Sequence, residues 1–163
     1  MIKRAFDPVV DDRTRVLILG SLPGEASLAA GQYYAHPRNA FWRLMDEVTG
    51  REISGLAYDD RLVALRTAGV GLWDVIASAE RSGSLDSAIR SPEAADLRGL
   101  VAILPELRAV AFNGGKAATL GMRILTPHPD RLALITLPSS SPAHARPFTE
   151  KAAIWARLGG LLG

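Results

Sequence analysis

The stretch Arg15-Val-Leu-Ile-Leu-Gly-Ser-Leu-Pro-Gly24 decides the fold, because it is an apolar run of strand length that ends in a glycine turn. A short, unbroken apolar run is typical of a strand that is buried on both faces, as in a parallel sheet. The chain then reaches Gln32-Tyr-Tyr-Ala-His-Pro-Arg-Asn-Ala-Phe-Trp42, where two tyrosines adjoin a segment dense in hydrogen-bond donors. A loop of this composition after a buried strand indicates a site.

Apolar runs and helix-spaced segments alternate along the rest of the chain. Strands are predicted over 15–20, 69–76, 108–113 and 131–137, and helices over 39–49, 59–68, 91–104, 116–122 and 147–158. The helix at 91–104 is predicted from Ser91-Pro92-Glu93, which has the composition of a helix start. Residues 1–14 are expected to form a lead-in segment, and 77–91 a surface loop with room for one helical turn.

This alternation predicts one α/β domain over residues 1–163, with a parallel sheet covered by helices on both faces. Right-handed crossovers place every strand-to-helix loop at the carboxyl edge of such a sheet, which is where α/β proteins build their sites. The loops that fall there are 20–40, 73–78, 113–116 and 138–146. The sequence therefore predicts a single cleft walled by these loops.

The composition limits the chemistry that this cleft can perform. The chain has 163 residues and no cysteine, which excludes disulfides, thiolate metal sites and cysteine nucleophiles. The net charge is +2. Of the 19 basic residues, 16 are arginines and three are lysines, and this preference for arginine weakly favours a polyanionic partner. No segment resembles a signal peptide or a membrane span, so we expect a cytoplasmic protein that does not bind membranes.

Several familiar sites are excluded by their spacing. Gly115-Lys116 is not a Walker loop, because Val110 stands where a glycine is needed and Ala117 replaces the required serine or threonine. Ser21 is not part of a Gly-x-Ser-x-Gly elbow, which makes it a poor nucleophile for a hydrolase. His36 and His128 have no metal-ligand spacing with another histidine or an acid. We expect no metal site and no cofactor.

The remaining polar groups of the cleft each allow a structural and a functional interpretation. One of Tyr33 and Tyr34 is expected to be an ordinary buried aromatic, while the other can stack on a planar ligand such as a base. Asn39 is suited to cap the helix that follows it. Asn113 could read the edge of a nucleobase or simply form a turn before two glycines, and the sequence favours neither.

The loop Pro138-Ser-Ser-Ser-Pro-Ala-His-Ala-Arg146 is rigid and rich in small donors. Serine hydroxyls, backbone N–H groups and an arginine at the carboxyl edge of the sheet suit phosphate oxygens. The alternative is a plain surface loop without a binding role. That alternative is weakened because the loop lies beside the other three loops of the predicted cleft.

In order and spacing, these segments resemble the uracil-DNA glycosylase superfamily, and within it the hypoxanthine-DNA glycosylase branch. The resemblance covers most of the chain. It is carried by Gly20-Ser-Leu-Pro-Gly-Glu-x-Ser-Leu28 with Gln32–Trp42, then by Gly71-Leu-Trp-Asp-Val75, Phe112-Asn-Gly114 and Leu137-Pro-Ser-Ser-Ser-Pro-Ala143. It implies a three-layer α/β/α sandwich with a four-stranded parallel sheet, and a damaged base that is flipped from the duplex into the cleft.

The resemblance also implies roles for individual residues. Mismatch-specific relatives carry a catalytic asparagine where this chain has Leu22, whereas the hypoxanthine branch uses the asparagine of its His-Pro-Arg-Asn segment, here Asn39. The expected substrate-binding residues are Gly20, Ser21, Leu22, Pro23, Gly24, Tyr33, Tyr34 and Asn113. The expected DNA-binding residues, in the loop that enters the minor groove, are Ser139, Ser140, Ser141, Pro142, His144 and Arg146.

The expected activity is excision of deaminated bases, hypoxanthine or uracil or both, by hydrolysis of the N-glycosidic bond in base excision repair. Lys116 is the one lysine in the catalytic loops, so we expect a monofunctional glycosylase without a Schiff-base step. We also expect the protein to be a monomer. Leu22 supports one alternative, a damage-binding module of the same fold with weak or no catalysis. A nucleoside hydrolase is the other alternative.

Overall fold

The computed structural model describes residues 2–81 and 83–163. In chain order the elements are β1 (Ile2–Arg4), β2 (Val16–Gly20), α1 (Glu25–Ala30), α2 (Phe41–Thr49), α3 (Tyr58–Ala68), β3 (Val70–Asp74), β4 (Ile76–Glu80), β5 (Arg90–Ala94), α4 (Leu97–Ala102), β6 (Ala109–Asn113), α5 (Gly115–Leu125), β7 (Ala133–Leu137) and α6 (Phe148–Trp155). Short 3₁₀ turns add Asp86–Ala88 and Ala156–Leu161.

The centre of the molecule is the expected four-stranded parallel sheet, in the order β3-β2-β6-β7. Alternate residues of β2 serve opposite layers. Val16 and Ile18 pack against α2, α3 and α6, whereas Leu17 and Leu19 pack against α4 and α5. All four side chains are fully buried, as the unbroken apolar run predicts. The α/β/α sandwich is confirmed.

A second, antiparallel sheet in the order β1-β4-β5 was not expected. Residues 1–14 were predicted as a lead-in segment, but Ile2–Arg4 pairs with Ser78–Glu80. Residues 77–91 were predicted as a surface loop, but β4 and β5 pair there with two irregularities of register. Such an interrupted ladder leaves no clean alternation of apolar and polar residues, so the sequence pattern could not reveal it.

The predicted helix start at Ser91-Pro92-Glu93 was wrong, because these residues lie in β5. The proline is tolerated there since β5 is an edge strand of its sheet. Helix α4 begins later, at Leu97, and its cap is Asp96, whose carboxylate accepts a hydrogen bond from the Gly99 N–H at 3.0 Å. None of the helices in the described ranges is long and apolar enough to cross a membrane.

Candidate active site

The loops at the carboxyl edge of the parallel sheet enclose a cavity of about 440 Å³. Its lining includes nearly all of the residues expected at the site, namely Gly20, Ser21, Leu22, Pro23, Gly24, Tyr33, Tyr34, Asn39, Asn113, Ser139, Ser140, Ser141, Pro142 and His144. Arg146 lies outside the cavity, on the surface, where it pairs with Glu150 at 3.5 Å. The sheet topology therefore brings four separate segments to one place.

The glycine turn of residues 20–24 is tightly enclosed. A Cβ on Gly20 would lie 2.6 Å from Asp74 Oδ1 and 3.0 Å from the Tyr34 hydroxyl, so a side chain at this position would have to displace them. The Leu22 side chain is 6% exposed and packs on Ile76 and other apolar residues of the second sheet. Leucine therefore holds the turn against that sheet, in the position where relatives of another branch are expected to carry an amide.

The two adjacent tyrosines have different surroundings. Tyr33 is buried, its hydroxyl donates to the Asp7 carbonyl at 2.9 Å, and its N–H donates to the Tyr58 hydroxyl at 2.9 Å. These two bonds hold the residue in the fold, and Tyr33 also lines the cavity. Tyr34 has a positive φ of 54°, and its ring stacks on Phe41 at 3.9 Å between ring centroids.

The Tyr34 hydroxyl is buried and has no hydrogen-bond partner in the part of the chain that the structure describes. Burial is the main reason why the pKa of Tyr34 lies well above its usual value, and the charge of Asp74 adds to the shift. The hydroxyl is therefore a neutral donor that faces the same side of the glycine turn as Asp74.

Asn39 lies just ahead of α2, and its side chain takes part in the helix start. The Asn39 Oδ1 accepts a hydrogen bond from the Phe41 N–H at 3.0 Å, and the next N–H, of Ala40, donates to the Ser140 carbonyl at 3.0 Å. The N-cap of α2 is Ala40, so Asn39 forms a turn just before the helix, and this turn uses one lone pair of the amide oxygen. The second lone pair and the amide NH₂ of this half-buried side chain remain available to a ligand in the cavity.

Asn113 forms two hydrogen bonds with Ser140. Its Nδ2 donates to the Ser140 hydroxyl at 2.9 Å, and its Oδ1 accepts from the Ser140 N–H at 2.8 Å. Both residues are buried. Asn113 thus fixes the loop 138–146 to the end of β6, and these two bonds leave one N–H and one lone pair of its amide unused.

The loop 138–146 is held from beneath by α6. The buried Lys151 donates to the Ser141 carbonyl at 3.2 Å, and Trp155 Nε1 donates to the Pro138 carbonyl at 2.8 Å. Burial, and to a lesser degree the charge of Arg146, lowers the pKa of Lys151. These anchors make the loop rigid, while Pro142 and His144 at its tip are exposed.

Asp74 is a site residue to which the sequence assigned no role. It is 3% exposed, it lines the cavity, and its Oδ2 has no hydrogen-bond partner within the described ranges. Burial raises the pKa of Asp74 to about 7, with a further increase from Asp86 and a smaller opposing effect from Arg81. The available signal was its position, a lone acid at the end of a buried strand in register with Gly20.

Arg81 and Asp86 were also missed, because they lie in the segment that was predicted as a surface loop. Arg81 is 3% exposed, and its guanidinium donates to the carbonyl oxygens of Leu22 and Pro23. Asp86 accepts a hydrogen bond from the Ser21 hydroxyl at 2.5 Å and lies 3.9 Å from Arg81. The second sheet therefore supports the glycine turn. No sequence motif marked these contacts, which join residues 58 to 65 positions apart.

Among the described residues, no group of three or more histidine, aspartate or glutamate side chains is arranged to hold a metal ion. The groups that line the cavity are amides, hydroxyls, backbone N–H groups, the imidazoles of His36 and His144, the buried carboxyl group of Asp74 and the exposed one of Asp86. These groups can hold a flat polar ligand and orient a water molecule.

Comparison with known proteins gives concordant matches. Residues 8–159 match the family model of the uracil DNA glycosylase superfamily. Two proteins named hypoxanthine DNA glycosylase are similar over 117 residues, which is 72% of this chain and 74% of each relative. They come from Methanosarcina acetivorans, at 45% identity, and Methanosarcina barkeri, at 43%.

A solved structure is also similar. It is a solution NMR structure of a protein from Methanosarcina acetivorans that is provisionally described as a uracil DNA glycosylase. The two chains are 39% identical and superpose with a TM-score of 0.81, over 97% of this chain and 99% of the other. The fold is therefore shared over almost the full length.

Proposed function

The chain belongs to the uracil DNA glycosylase superfamily and is a DNA glycosylase, and we propose that it excises deaminated bases, hypoxanthine first and uracil second. The observation that carries this proposal is the cavity in which the Asn39 amide and the partner-free oxygen of Asp74 lie together. The names of the two Methanosarcina relatives support hypoxanthine. Base excision repair is the context proposed for the reaction.

Base recognition is assigned to Asp74, with Asn113 and Tyr34 beside it. Hypoxanthine and uracil both present an N–H next to a carbonyl on one edge. A protonated carboxyl group can donate to that carbonyl and accept from that N–H, as an amide does, and burial favours this neutral form of Asp74. The Tyr34 hydroxyl supplies another neutral donor. An ionised Asp74 would instead repel a base that acquires negative charge.

Cleavage is assigned to a water molecule positioned by Asn39. The N-glycosidic bond breaks through a sugar with oxocarbenium character, so positioning and charge stabilisation matter more than a strong base. The free lone pair of Asn39 Oδ1 can orient water and face the positive sugar. We propose a monofunctional reaction, since none of the three lysines, Lys3, Lys116 and Lys151, lines the cavity, and Lys151 donates instead to the Ser141 carbonyl beneath the loop.

DNA contact is assigned to the loop 138–146. The Ser139 and Ser141 hydroxyl oxygens each accept a backbone N–H within the loop, which leaves their O–H groups as donors for phosphate. Pro142, His144 and Arg146 are exposed beside them. A base that reaches the cavity from this surface must leave the duplex, so base flipping is part of the proposal. The chain is proposed to act as a monomer.

The deciding experiment is a panel of duplexes that contain deoxyinosine, deoxyuridine or deoxyxanthosine, treated with alkali after incubation to reveal abasic sites. We expect cleavage of the deoxyinosine duplex, and binding that weakens steeply with salt. Binding without abasic sites would favour a damage-binding module, for which the burial of Leu22 in place of a catalytic amide is the supporting observation. Hydrolysis of free inosine, indifferent to salt, would favour a nucleoside hydrolase.

A further inference from the structure

Arg81 is a buried arginine whose position calls for an explanation beyond folding. Its side chain comes from the segment after β4 in the second sheet, and the guanidinium donates to the carbonyl oxygens of Pro23 and of Leu22, the latter at 3.5 Å. Removing an arginine from water costs several kcal/mol unless its partners compensate. The carboxylate that pairs with it, Asp86, lies at 3.9 Å and is itself partly exposed, while the charges of Asp74 and Glu25 also act on the guanidinium.

Arg81 lies behind the glycine turn when the turn is viewed from the cavity. Leu22, Pro23 and Gly24 line the cavity, whereas Arg81 does not. The cis peptide bond found in the described ranges joins Thr126 and Pro127, so the bond between Pro23 and Gly24 is trans. In a trans peptide the N–H points away from the carbonyl. Because Arg81 holds the Pro23 carbonyl, the Gly24 N–H is directed away from Arg81, and Gly24 itself lines the cavity.

The charge of Arg81 acts in the same direction as its hydrogen bonds. A cation beside the carbonyl oxygen polarises the peptide and makes its N–H end a better partner for negative charge. The departing base acquires negative charge as the glycosidic bond breaks. Preorganised N–H groups aimed at developing charge are a major source of rate enhancement in enzymes. Asp86 fixes the second residue of the turn, Ser21, by accepting a hydrogen bond from its hydroxyl at 2.5 Å.

We propose that Arg81 is a positioning residue for excision, which holds the Gly24 N–H toward the departing base and supports the negative charge on that base through the peptide. This inference rests on the proposed function. In the step, the bond from the sugar C1′ to the base nitrogen breaks, and its electron pair leaves with the base. A water oxygen bonds to C1′ and gives up one proton to solvent, and the base anion takes up one proton from solvent, so that the products are an abasic sugar and a neutral base. Arg81 transfers no proton.

The test compares single-turnover cleavage of a deoxyinosine duplex by Arg81→Gln, Arg81→Lys and the wild-type protein. The control is Arg15→Gln, since Arg15 Nη1 donates to the Leu162 carbonyl at 2.8 Å at the opposite end of the turn's own strand. For Arg81→Gln we expect the maximal rate to fall by about ten to a thousandfold, with half-saturating protein concentration and Tm little changed. Arg81→Lys should recover part of the rate, because it keeps the charge without the fork.

Two results would overturn the inference. One is a wild-type maximal rate in Arg81→Gln. The other is a loss in Arg81→Gln that follows a lowered Tm, with weakened binding, and is matched by Arg15→Gln. If Arg81→Gln does not fold, Arg81→Lys decides, since a lowered maximal rate at unchanged Tm supports the role and an unchanged rate refutes it. A wild-type protein that leaves deoxyinosine duplexes intact would instead count against the proposed function itself.

Discussion

Gly20 and Asp74 face each other in the parallel register of β2 and β3, so closely that a Cβ on Gly20 would lie 2.6 Å from Asp74 Oδ1. The pair joins the glycine turn to the one carboxyl group that is buried in the cavity. Any side chain at position 20 must displace that carboxyl group, and several predictions depend on this contact.

Gly20→Ala should lower the rate of excision strongly and change the free energy of unfolding little. The added methyl group pushes Asp74 and the Tyr34 hydroxyl, 3.0 Å away, out of place, and a misplacement of about 1 Å can cost about a hundredfold in rate. Single-turnover kinetics on a deoxyinosine duplex measure the loss. Gly55→Ala is the matched control, because a Cβ there meets nothing within 4 Å. Equal rates for the two variants would show that the contact is unimportant.

Asp74→Asn should change the pH dependence of stability. The pKa of Asp74 is raised from 3.8 to about 7 in the folded protein, so the folded state holds this proton more tightly than the unfolded chain. The wild-type protein therefore loses stability as the pH rises from about 4 to about 7, and the penalty is constant above. The asparagine variant lacks this loss, so its Tm advantage should grow over that interval and then level off. A constant Tm difference would contradict the raised pKa.

The same titration should appear in the rate of excision. If neutral Asp74 contacts the base, the maximal single-turnover rate of the wild-type protein falls as the pH rises above about 7, because the carboxyl group ionises. Asp74→Asn keeps a donor and an acceptor at all pH values, so its profile should be flat in that range. An identical fall in both proteins would assign the titration to another group.

Asn113→Ala should destabilise the protein and loosen the loop 138–146. It removes both bonds to Ser140 and leaves the buried Ser140 N–H and hydroxyl without partners, at a cost of about 1–3 kcal/mol per group. Chemical denaturation measures the stability, and hydrogen exchange measures the loop. Ser139→Ala is a control, since the Ser139 hydroxyl accepts only the nearby Ser141 N–H. If Asn113→Ala were as stable as Ser139→Ala, the two hydrogen bonds between Asn113 and Ser140 would not contribute to the free energy of unfolding.

The parallel sheet and the position of the cavity could be predicted from the sequence because both follow from local pattern. The run Val16–Gly20 is apolar throughout, and parallel strands joined by helices place their following loops at one edge. The sequence could not distinguish the surroundings of the two tyrosines, because the hydrogen bonds of Tyr33 go to Asp7 and Tyr58, which are remote in sequence.

The second sheet and its contacts with the glycine turn could not be predicted, because they depend on pairing between remote segments. The sequence of Ile2–Arg4 does not by itself predict a strand, and the strand forms by pairing with β4. Pro92 is typical of a helix start, but here it lies in an edge strand, where a proline is tolerated. The proposals for Arg81 and Asp74 likewise depend on the burial of these side chains, which cannot be predicted from the residue type. The sequence singled out Asn113 as a candidate site residue, but it could not predict the hydrogen bonds between Asn113 and Ser140.

The most direct test of the account is single-turnover cleavage of a deoxyinosine duplex by the wild-type protein and by Asn39→Ala. Asn39→Asp serves as a partner variant, because its carboxylate can still accept the Phe41 N–H and keep the start of α2. The account predicts wild-type cleavage, a loss of at least about two orders of magnitude in Asn39→Ala, and an unchanged Tm in Asn39→Asp. Full-rate cleavage by Asn39→Ala would contradict it.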